Sequence, residues 1–140
     1  MKFIASNKYE TAVDSIKCNM ISFYESIGLE WHDELKFTMY GECALFDIVV
    51  DEITVGFFMS LDKPDAYYVS ELHIDAIHRG KGYGSKALLN IRFLAGTKGH
   101  DVIKISAIKD SDALKLYETL DFKRSGEKRY TIELVAIALR

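Results

Sequence analysis

Arg79-Gly80-Lys81-Gly82-Tyr83-Gly84 is the stretch of this sequence whose residue types and spacing point most directly to chemistry. Glycine lets a backbone approach an anion with no Cβ in the way. Where a helix opens at the end of such a run, its first N–H groups and the positive end of its dipole face the same ligand. Arg79 and Lys81 add positive charge, and Ser85 adds a hydroxyl. Alternating glycines flanked by two cations exceed what a plain turn requires, so the run reads as a phosphate-binding device. It is not a Walker-type P-loop, because Gly84-Ser85-Lys86 reverses the order of lysine and serine. Gly82-Tyr83-Gly84-Ser85-Lys86-Ala87 formally meets the dinucleotide fingerprint G-x-G-x-x-G/A. That fingerprint belongs after the first strand of a parallel sheet. Here an antiparallel run precedes it, and too little chain follows Ala87 to complete such a fold. A dinucleotide-binding oxidoreductase is therefore the least supported nucleotide reading.

The elements around the run must position it. A short strand, Lys2 to Ala5, leads to Ser6 and Asn7, which can cap a helix. Val13, Ile16, Met20, Phe23 and Ile27 then recur at steps of three and four, one apolar face of a helix stopped by Gly28. Trp31, Leu35 and Met39 suggest a second short helix before Gly41. Ala44, Phe46, Ile48 and Val50, the tight connection Asp51-Glu52, and Ile53, Val55, Phe57, Met59 and Leu61 read as an antiparallel hairpin. A third strand runs from about Ala66 to Asp75. Strict alternation puts Tyr68, Ser70, Leu72 and Ile74 on one face and Tyr67, Val69, Glu71, His73 and Asp75 on the other. The glycine run opens a helix from about Gly84 to Ala95, buried along Ala87, Leu88, Ile91, Leu94 and Ala95 and ended by Gly96. Val102 to Ile108 is almost continuously apolar, which predicts a central strand covered on both faces. Asp110 or Ser111 caps a helix through about Leu120, and two strands close the chain, Phe122 to Glu127 and Arg129 to about Ala138.

Composition bounds the function. The 140 residues suit one domain spanning 1–140, and 49% hydrophobic content can bury a core. A net charge of -3 argues against a nucleic-acid partner, which favours a basic surface. No run approaches the roughly 18 apolar residues of a membrane helix, and the N-terminus does not read as a signal peptide. A cytoplasmic protein without a membrane partner is the expectation. Cys18 and Cys43 form no C-x-x-C and have no histidine at ligand spacing, so we expect free thiols and no metal. His78 and His100 read as surface histidines without a role.

Leu72-His73-Ile74-Asp75-Ala76-Ile77-His78-Arg79-Gly80-Lys81-Gly82-Tyr83-Gly84 resembles the signature of the GNAT acetyltransferase superfamily, a strand and short link followed by [Q/R]-x-x-G-x-[G/A] opening a helix. Arg79, Gly82 and Gly84 fill it. Asp110-Ser111-Asp112-Ala113-Leu114-Lys115-Leu116-Tyr117-Glu118-Thr119-Leu120-Asp121-Phe122 resembles the family's second landmark, N-x-x-A-x-x-L-Y-E-x-x-G-F. Asp110 stands where the family usually has asparagine, Asp121 where it has glycine and Ala76 where many members have proline. Aspartate tolerates the left-handed conformation a helix end requires there.

The resemblance implies an α/β (α+β) fold: a mixed, mostly antiparallel sheet of about six or seven strands flanked by about four helices, in the order β-α-α-β-β-β-α-β-α-β-β. It implies that two neighbouring strands splay apart and that acetyl-CoA lies between them. Its contacts would come from Ile74, Arg79, Gly80, Lys81, Gly82, Tyr83, Gly84, Ser85, Asp110, Ala113 and Tyr117. A backbone N–H of the strand through Ile74 would polarise the thioester carbonyl. The acceptor would be a primary amine that attacks directly in a ternary complex. A lysine-like amine is almost wholly protonated at neutral pH, so a base must take its proton. Glu71 and His73 are the candidates, Glu71 preferred; the alternative leaves both as exposed strand residues. Tyr117 matches the family's general acid for the leaving thiolate, or else fills the helix's apolar face beside Leu116 and Leu120. Tyr24, Glu25, Glu30, Trp31, His32, Asp33 and Glu34 would suit a cationic amine, or form a solvated face. A non-catalytic acyl-CoA-binding or sensing module would keep the glycine run and need neither Tyr117 nor a base. The apolar tail Leu134 to Leu139 is read as a paired edge strand or a homodimer contact.

Overall fold

Apolar alternation and helical periodicity produce the expected element order in the computed structural model, which describes residues 1–140. The elements are β1 (Lys2–Ala5), α1 (Tyr9–Ser26), α2 (Asp33–Tyr40), β2 (Ala44–Val50), β3 (Ile53–Asp62), β4 (Tyr67–Ile74), α3 (Tyr83–Thr97), β5 (Val102–Ile108), α4 (Asp112–Thr119), β6 (Lys123–Glu127) and β7 (Thr131–Ile137), with one 3-10 turn at Ala76–His78. The seven strands form one sheet in the order β1-β2-β3-β4-β5-β7-β6. Every neighbouring pair is antiparallel except β4 and β5, which are parallel. This is the mixed, mostly antiparallel α/β sheet that the resemblance implied.

Each face of the sheet carries its own core. Phe58, Tyr67 and Val69 pack with Ala87, Leu88, Ile91 and Ala95 of α3 and with Leu114 and Tyr117 of α4. Phe57 and Met59, which alternate with Phe58, pack instead against Ala12, Val13 and Ile16 of α1 and Tyr40 of α2. The hairpin connection has both central residues left-handed, Asp51 at φ 49° and Glu52 at φ 66°, the geometry whose twist matches paired strands. β5 lies between β4 and β7, the central position its apolar run predicts, but it is not covered on both faces: Ile103, Ile105 and Ala107 are buried, whereas Lys104 is half-buried and Ser106 exposed.

Several local expectations are corrected. Neither Ser6 nor Asn7 caps α1; Lys8 takes the cap position, and Ser6 Oγ accepts from the Lys8 N–H at 3.2 Å. Leu35 and Met39 do not form a buried stripe, because α2 turns Tyr40 toward the sheet and leaves both exposed. Alternation along β4 breaks at Ser70. Met59 pairs with Glu71 and Ser60 with Val69, so Ser70 is an extra, bulged residue. The bulge brings Leu72 and Ile74 to the face of Tyr67 and Val69, against the α3 core, rather than to the opposite one. Glu71 and His73 still share a face, now toward α1 and α2.

Gly96 does not end α3, which continues to Thr97 and is followed by left-handed Gly99 at φ 88°. A Cβ at Gly96 would collide with the Leu139 carbonyl oxygen, so the glycine serves close approach of the C-terminal segment. β7 is not an edge strand. It is bracketed by β5 and β6, with Leu134 and Ala136 buried, and the exposed edge is the polar strand β6. Nor is His100 a surface histidine; its ring packs at 5.5 Å from Tyr67, with Nε2 2.7 Å from Asp62 Oδ1. Gly96→Ala is expected to lower unfolding stability by about 1–3 kcal/mol, the usual cost of overpacking, as read from chemical denaturation.

Candidate functional site

β4 and β5 pair over three positions only, Tyr67 with Ile103, Tyr68 with Lys104 and Val69 with Ile105. The ladder ends where Ser70 bulges. Beyond it Ser70 to Ile74 and Ser106 to Ile108 diverge, so the β4 backbone groups on that side have no strand partner. A cavity of about 380 Å³ fills this fork. Glu71, Leu72 and His73 line it from β4, Ser106 and Ile108 from β5, Ala113 and Tyr117 from α4, and Asn19 and Met20 from α1.

The glycine run lies at the end of β4. Gly80 and Gly82 are left-handed, at φ 77° and φ 80°, and a Cβ on either would meet nothing within 4 Å. Gly82 is the cap residue of α3 and no side chain caps the helix, so the N–H groups of its first turn face outward unpaired by side chains. The arrangement is a backbone cradle open to an anion. Lys81 is exposed beside it, Tyr83 packs on the core, and Ser85 lines a second cavity of about 350 Å³ with Lys86, Arg92, Asp121 and Phe122. Arg79 turns back instead of facing the cradle. Its Nε donates to the Ile74 carbonyl at 2.8 Å and its Nη2 to Asn19 Oδ1 at 3.5 Å, which ties the loop to β4 and α1.

Ser111, the second of the two expected caps, holds α4 by accepting from the Leu114 N–H at 3.1 Å. Asp110, in the preceding turn, is left-handed at φ 61°, and Asp121 closes the helix at φ 66°, as its tolerance of that region predicts. These turns aim Tyr117 at the fork. Its side chain is buried, and burial first, then the charge of Glu71, pushes its phenol up to about 12. The phenol is thus fully protonated at neutral pH. Trp31 Nε1 is the one sealed side-chain polar atom without a partner, so the Tyr117 hydroxyl is open to the cavity.

Glu71 accepts a hydrogen bond from Tyr40 Oη at 2.8 Å. Burial raises its carboxyl above the ordinary carboxylate range, against the opposing pull of the Tyr40 bond and the Lys36 charge. Tyr40 itself is driven far upward by burial and by that carboxylate, so it stays a donor. His73 stacks on Phe57 at 4.9 Å, and both its nitrogens are engaged: Nδ1 lies 2.9 Å from Asn19 Nδ2 and Nε2 3.2 Å from Asp75 Oδ1. The consistent tautomer is neutral, accepting from Asn19 and donating to Asp75. Burial lowers its pKa in the same sense, Asp75 opposing and Arg79 assisting. With both nitrogens occupied, His73 is the poorer base of the two candidates.

Of the charged and aromatic residues expected around the acceptor, Tyr24 and Trp31 come together, with ring centroids 5.4 Å apart and Lys36 Nζ about 5 Å from each. Asp33 is bound to Lys17 at 2.8 Å, and Glu30 lies 3.7 Å from the His32 ring. Glu25 and Glu34 are exposed. Sequence reasoning missed Asn19, Lys36 and Tyr40 on this side and Lys86 and Arg92 beside the cradle. Lys86 alone carried a local signal, one helical turn past Gly82. No cluster of three or more His, Cys, Asp or Glu is placed to hold a metal, both cysteines are free, and no helix is long and apolar enough to cross a membrane.

A seven-stranded sheet forked between its two parallel strands, with a glycine cradle at the mouth of the fork, is a GNAT-type architecture. The sequence pattern of the Acetyltransferase (GNAT) family matches residues 13–122, and the chain belongs to that family. No curated protein matches it. Among solved structures it is similar to an acetyltransferase from Thermus thermophilus, with 19% identity over 97% of this chain and 96% of that one and a TM-score of 0.70. It is also similar to the PaiA N-acetyltransferase of Thermoplasma acidophilum in complex with coenzyme A, with 14% identity over 98% and 99% of the two chains and a TM-score of 0.70. A third is a GNAT family acetyltransferase from Elizabethkingia anophelis with acetyl-CoA bound, with 14% identity over 76% and 83% and a TM-score of 0.65. At these identities the likeness is one of fold.

The depressed His73 pKa has a consequence for stability. The unfolded chain binds a proton near the ordinary histidine value of about 6.5, and the folded chain resists it. The stability from neutral His73 is complete above that value and is lost as pH falls from it toward the lower folded pKa. Melting temperature should therefore fall on acidification across this window, and less so in His73→Gln, as measured by thermal unfolding at a series of pH values.

Proposed function

We propose that the protein is an acetyl-CoA-dependent N-acetyltransferase that moves an acetyl group to a primary amine by direct attack in a ternary complex. The observation that carries the reading is the fork itself. One cavity between β4 and β5 holds a carboxylate of raised pKa and a protonated buried phenol, and the anion cradle lies at the end of the same strand. The backbone of Gly80 to Ser85 would hold the pyrophosphate, with Lys81 adding charge; Ile74, Asp110 and Ala113 would flank the pantetheine arm.

Glu71, ionised, takes the proton of the bound ammonium, directly or through a water, and leaves a lone pair on nitrogen. That lone pair forms the C–N bond at the thioester carbonyl, whose oxygen finds donors on the unpaired β4 backbone. The C–S bond breaks, the Tyr117 hydroxyl gives its proton to the departing thiolate, and the second proton that nitrogen sheds as the amide forms returns through water to the Tyr117 phenolate. Burial serves both groups. It makes Glu71 a stronger base than an exposed carboxylate and keeps Tyr117 protonated until the thiolate forms.

Calorimetric titration with acetyl-CoA, with NADH in parallel, tests the reading. Micromolar binding of acetyl-CoA alone is expected, followed by release of free thiol with an amine panel. No acetyl-CoA binding, with or without amines, overturns it; binding without transfer to any amine favours the acyl-CoA-sensing module. Gly82→Val, which forces a branched side chain into a left-handed cradle position, should abolish acetyl-CoA binding with the circular dichroism spectrum kept. Tyr117→Phe should lower kcat by about 10²- to 10⁴-fold with binding unchanged. Because the Glu71 carboxyl is raised, kcat/KM should fall as pH drops through that raised value, and Glu71→Gln should lower activity and erase that limb of the profile.

A further inference from the structure

Four lysines are half-buried: Lys17, Lys36, Lys104 and Lys109. Three of them meet a carboxylate, Lys17 at Asp33, Lys104 at Asp65 and Glu133, and Lys109 at Glu127. Lys36 meets none. Its Nζ donates to Tyr24 Oη at 2.6 Å and lies 5.1 Å from the Tyr24 ring centroid and 5.2 Å from that of Trp31. Aromatic faces and one phenolic oxygen hold the ammonium in place, and no carboxylate touches it. A partly desolvated cation with no carboxylate in contact is costly, and an anionic ligand would complete the pair.

The donors around it have nothing to bond. Tyr24 Oη accepts from Lys36, so its own hydrogen is free, and Nζ keeps two further N–H groups. Lys36 lies one turn before Tyr40 on α2, Tyr40 holds Glu71 at 2.8 Å and Lys36 holds Tyr24 at 2.6 Å, so the four are one neighbourhood; the Lys36 charge acts on Glu71 accordingly. No acid of this region closes on Lys36: Glu71 is held by Tyr40 and acts on Lys36 only from beyond contact, Asp33 is taken by Lys17, and Glu30 lies beside His32.

We infer that the acceptor is an amine that also carries a carboxylate, of the amino-acid class, with Lys36 and Tyr24 receiving the carboxylate while the amine faces Glu71. A single ammonium and one phenolic hydrogen match a singly charged, planar anion better than a doubly charged phosphate. A cationic polyamine would place like charge beside Lys36, and the site disfavours it. The inference rests on the acetyltransferase reading and adds the substrate class and a specificity-determining residue.

The test pairs L-amino acids with their L-amino amides as acceptors, which keeps the α-amine and removes the charge. Wild-type protein is expected to favour the acids by about tenfold or more in kcat/KM, the worth of one charge-assisted contact. Lys36→Met should flatten that ratio and Lys36→Arg restore much of it, with acetyl-CoA affinity and the circular dichroism spectrum unchanged in both. Equal use of acids and amides, preference for amides, or an acid preference that survives Lys36→Met overturns the inference and leaves the transferase reading intact. A second arm does not depend on turnover. N-acetyl-L-amino acids and N-acetyl-L-amino amides are titrated into the CoA-saturated protein. Tighter binding of the acids, lost in Lys36→Met, supports the inference even where no acceptor is turned over; equal binding overturns it.

Discussion

The rest of the structure depends on the early end of the β4·β5 ladder. A parallel pair in the middle of a sheet would ordinarily run the length of both strands, with its backbone groups satisfied by each other. Here three pairs form and Ser70 then inserts an extra residue. A bulge bends its strand and increases local twist, which turns β4 away from β5 toward α1. The fork separates two sets of backbone donors and acceptors around a cavity of about 380 Å³, and Glu71, His73 and Tyr117 line it. Without the extra residue, Glu71 and His73 would exchange faces with Leu72 and Ile74, and the carboxylate would lie in the α3 core.

Burial acts on the two candidate proton-transfer groups from opposite directions of need. Low polarity disfavours the charged form of each, so the Glu71 carboxyl and the Tyr117 phenol both move upward. For a base this raises proton affinity; for an acid it preserves the proton. Tyr40 and Lys36 oppose the rise at Glu71 by stabilising its ionised form. Glu71 in turn raises Tyr117 by charge.

What the sequence disclosed divides along chemical lines. The cradle was legible because left-handed backbone and close anion approach restrict the residues allowed, and Gly80, Gly82, Asp110 and Asp121 all occupy such positions. The central position of β5 followed from its nearly continuous apolar run, although Lys104 and Ser106 interrupt it and leave its second face only partly covered. The Ser70 bulge was not legible, since alternation reads a strand as regular unless a proline or glycine marks the irregularity. Gly96 misled for the related reason that a glycine near a helix end has two uses, to stop the helix or to admit a neighbour, and only the position of Leu139 distinguishes them. Lys36, Tyr24, Tyr40 and Asn19 left no local trace, because ordinary residue types acquire their meaning when α1 and α2 fold over β4.

That division bears on how far family membership reaches. The side of the fork proposed for the cofactor is built largely from backbone: the N–H groups of the glycine loop and α3 and the unpaired edge of β4. Many sequences can supply the same backbone, which is how chains of 14% to 19% identity share the fold here. The acceptor side is built from side chains of three separate elements, and its charge is set by single residues. One lysine with no carboxylate in contact puts a positive charge among the acids Glu25, Glu30, Asp33 and Glu34. Fold likeness therefore carries the acyl donor further than the acceptor, and the acceptor must be argued from which donors and charges the folded chain leaves unpaired.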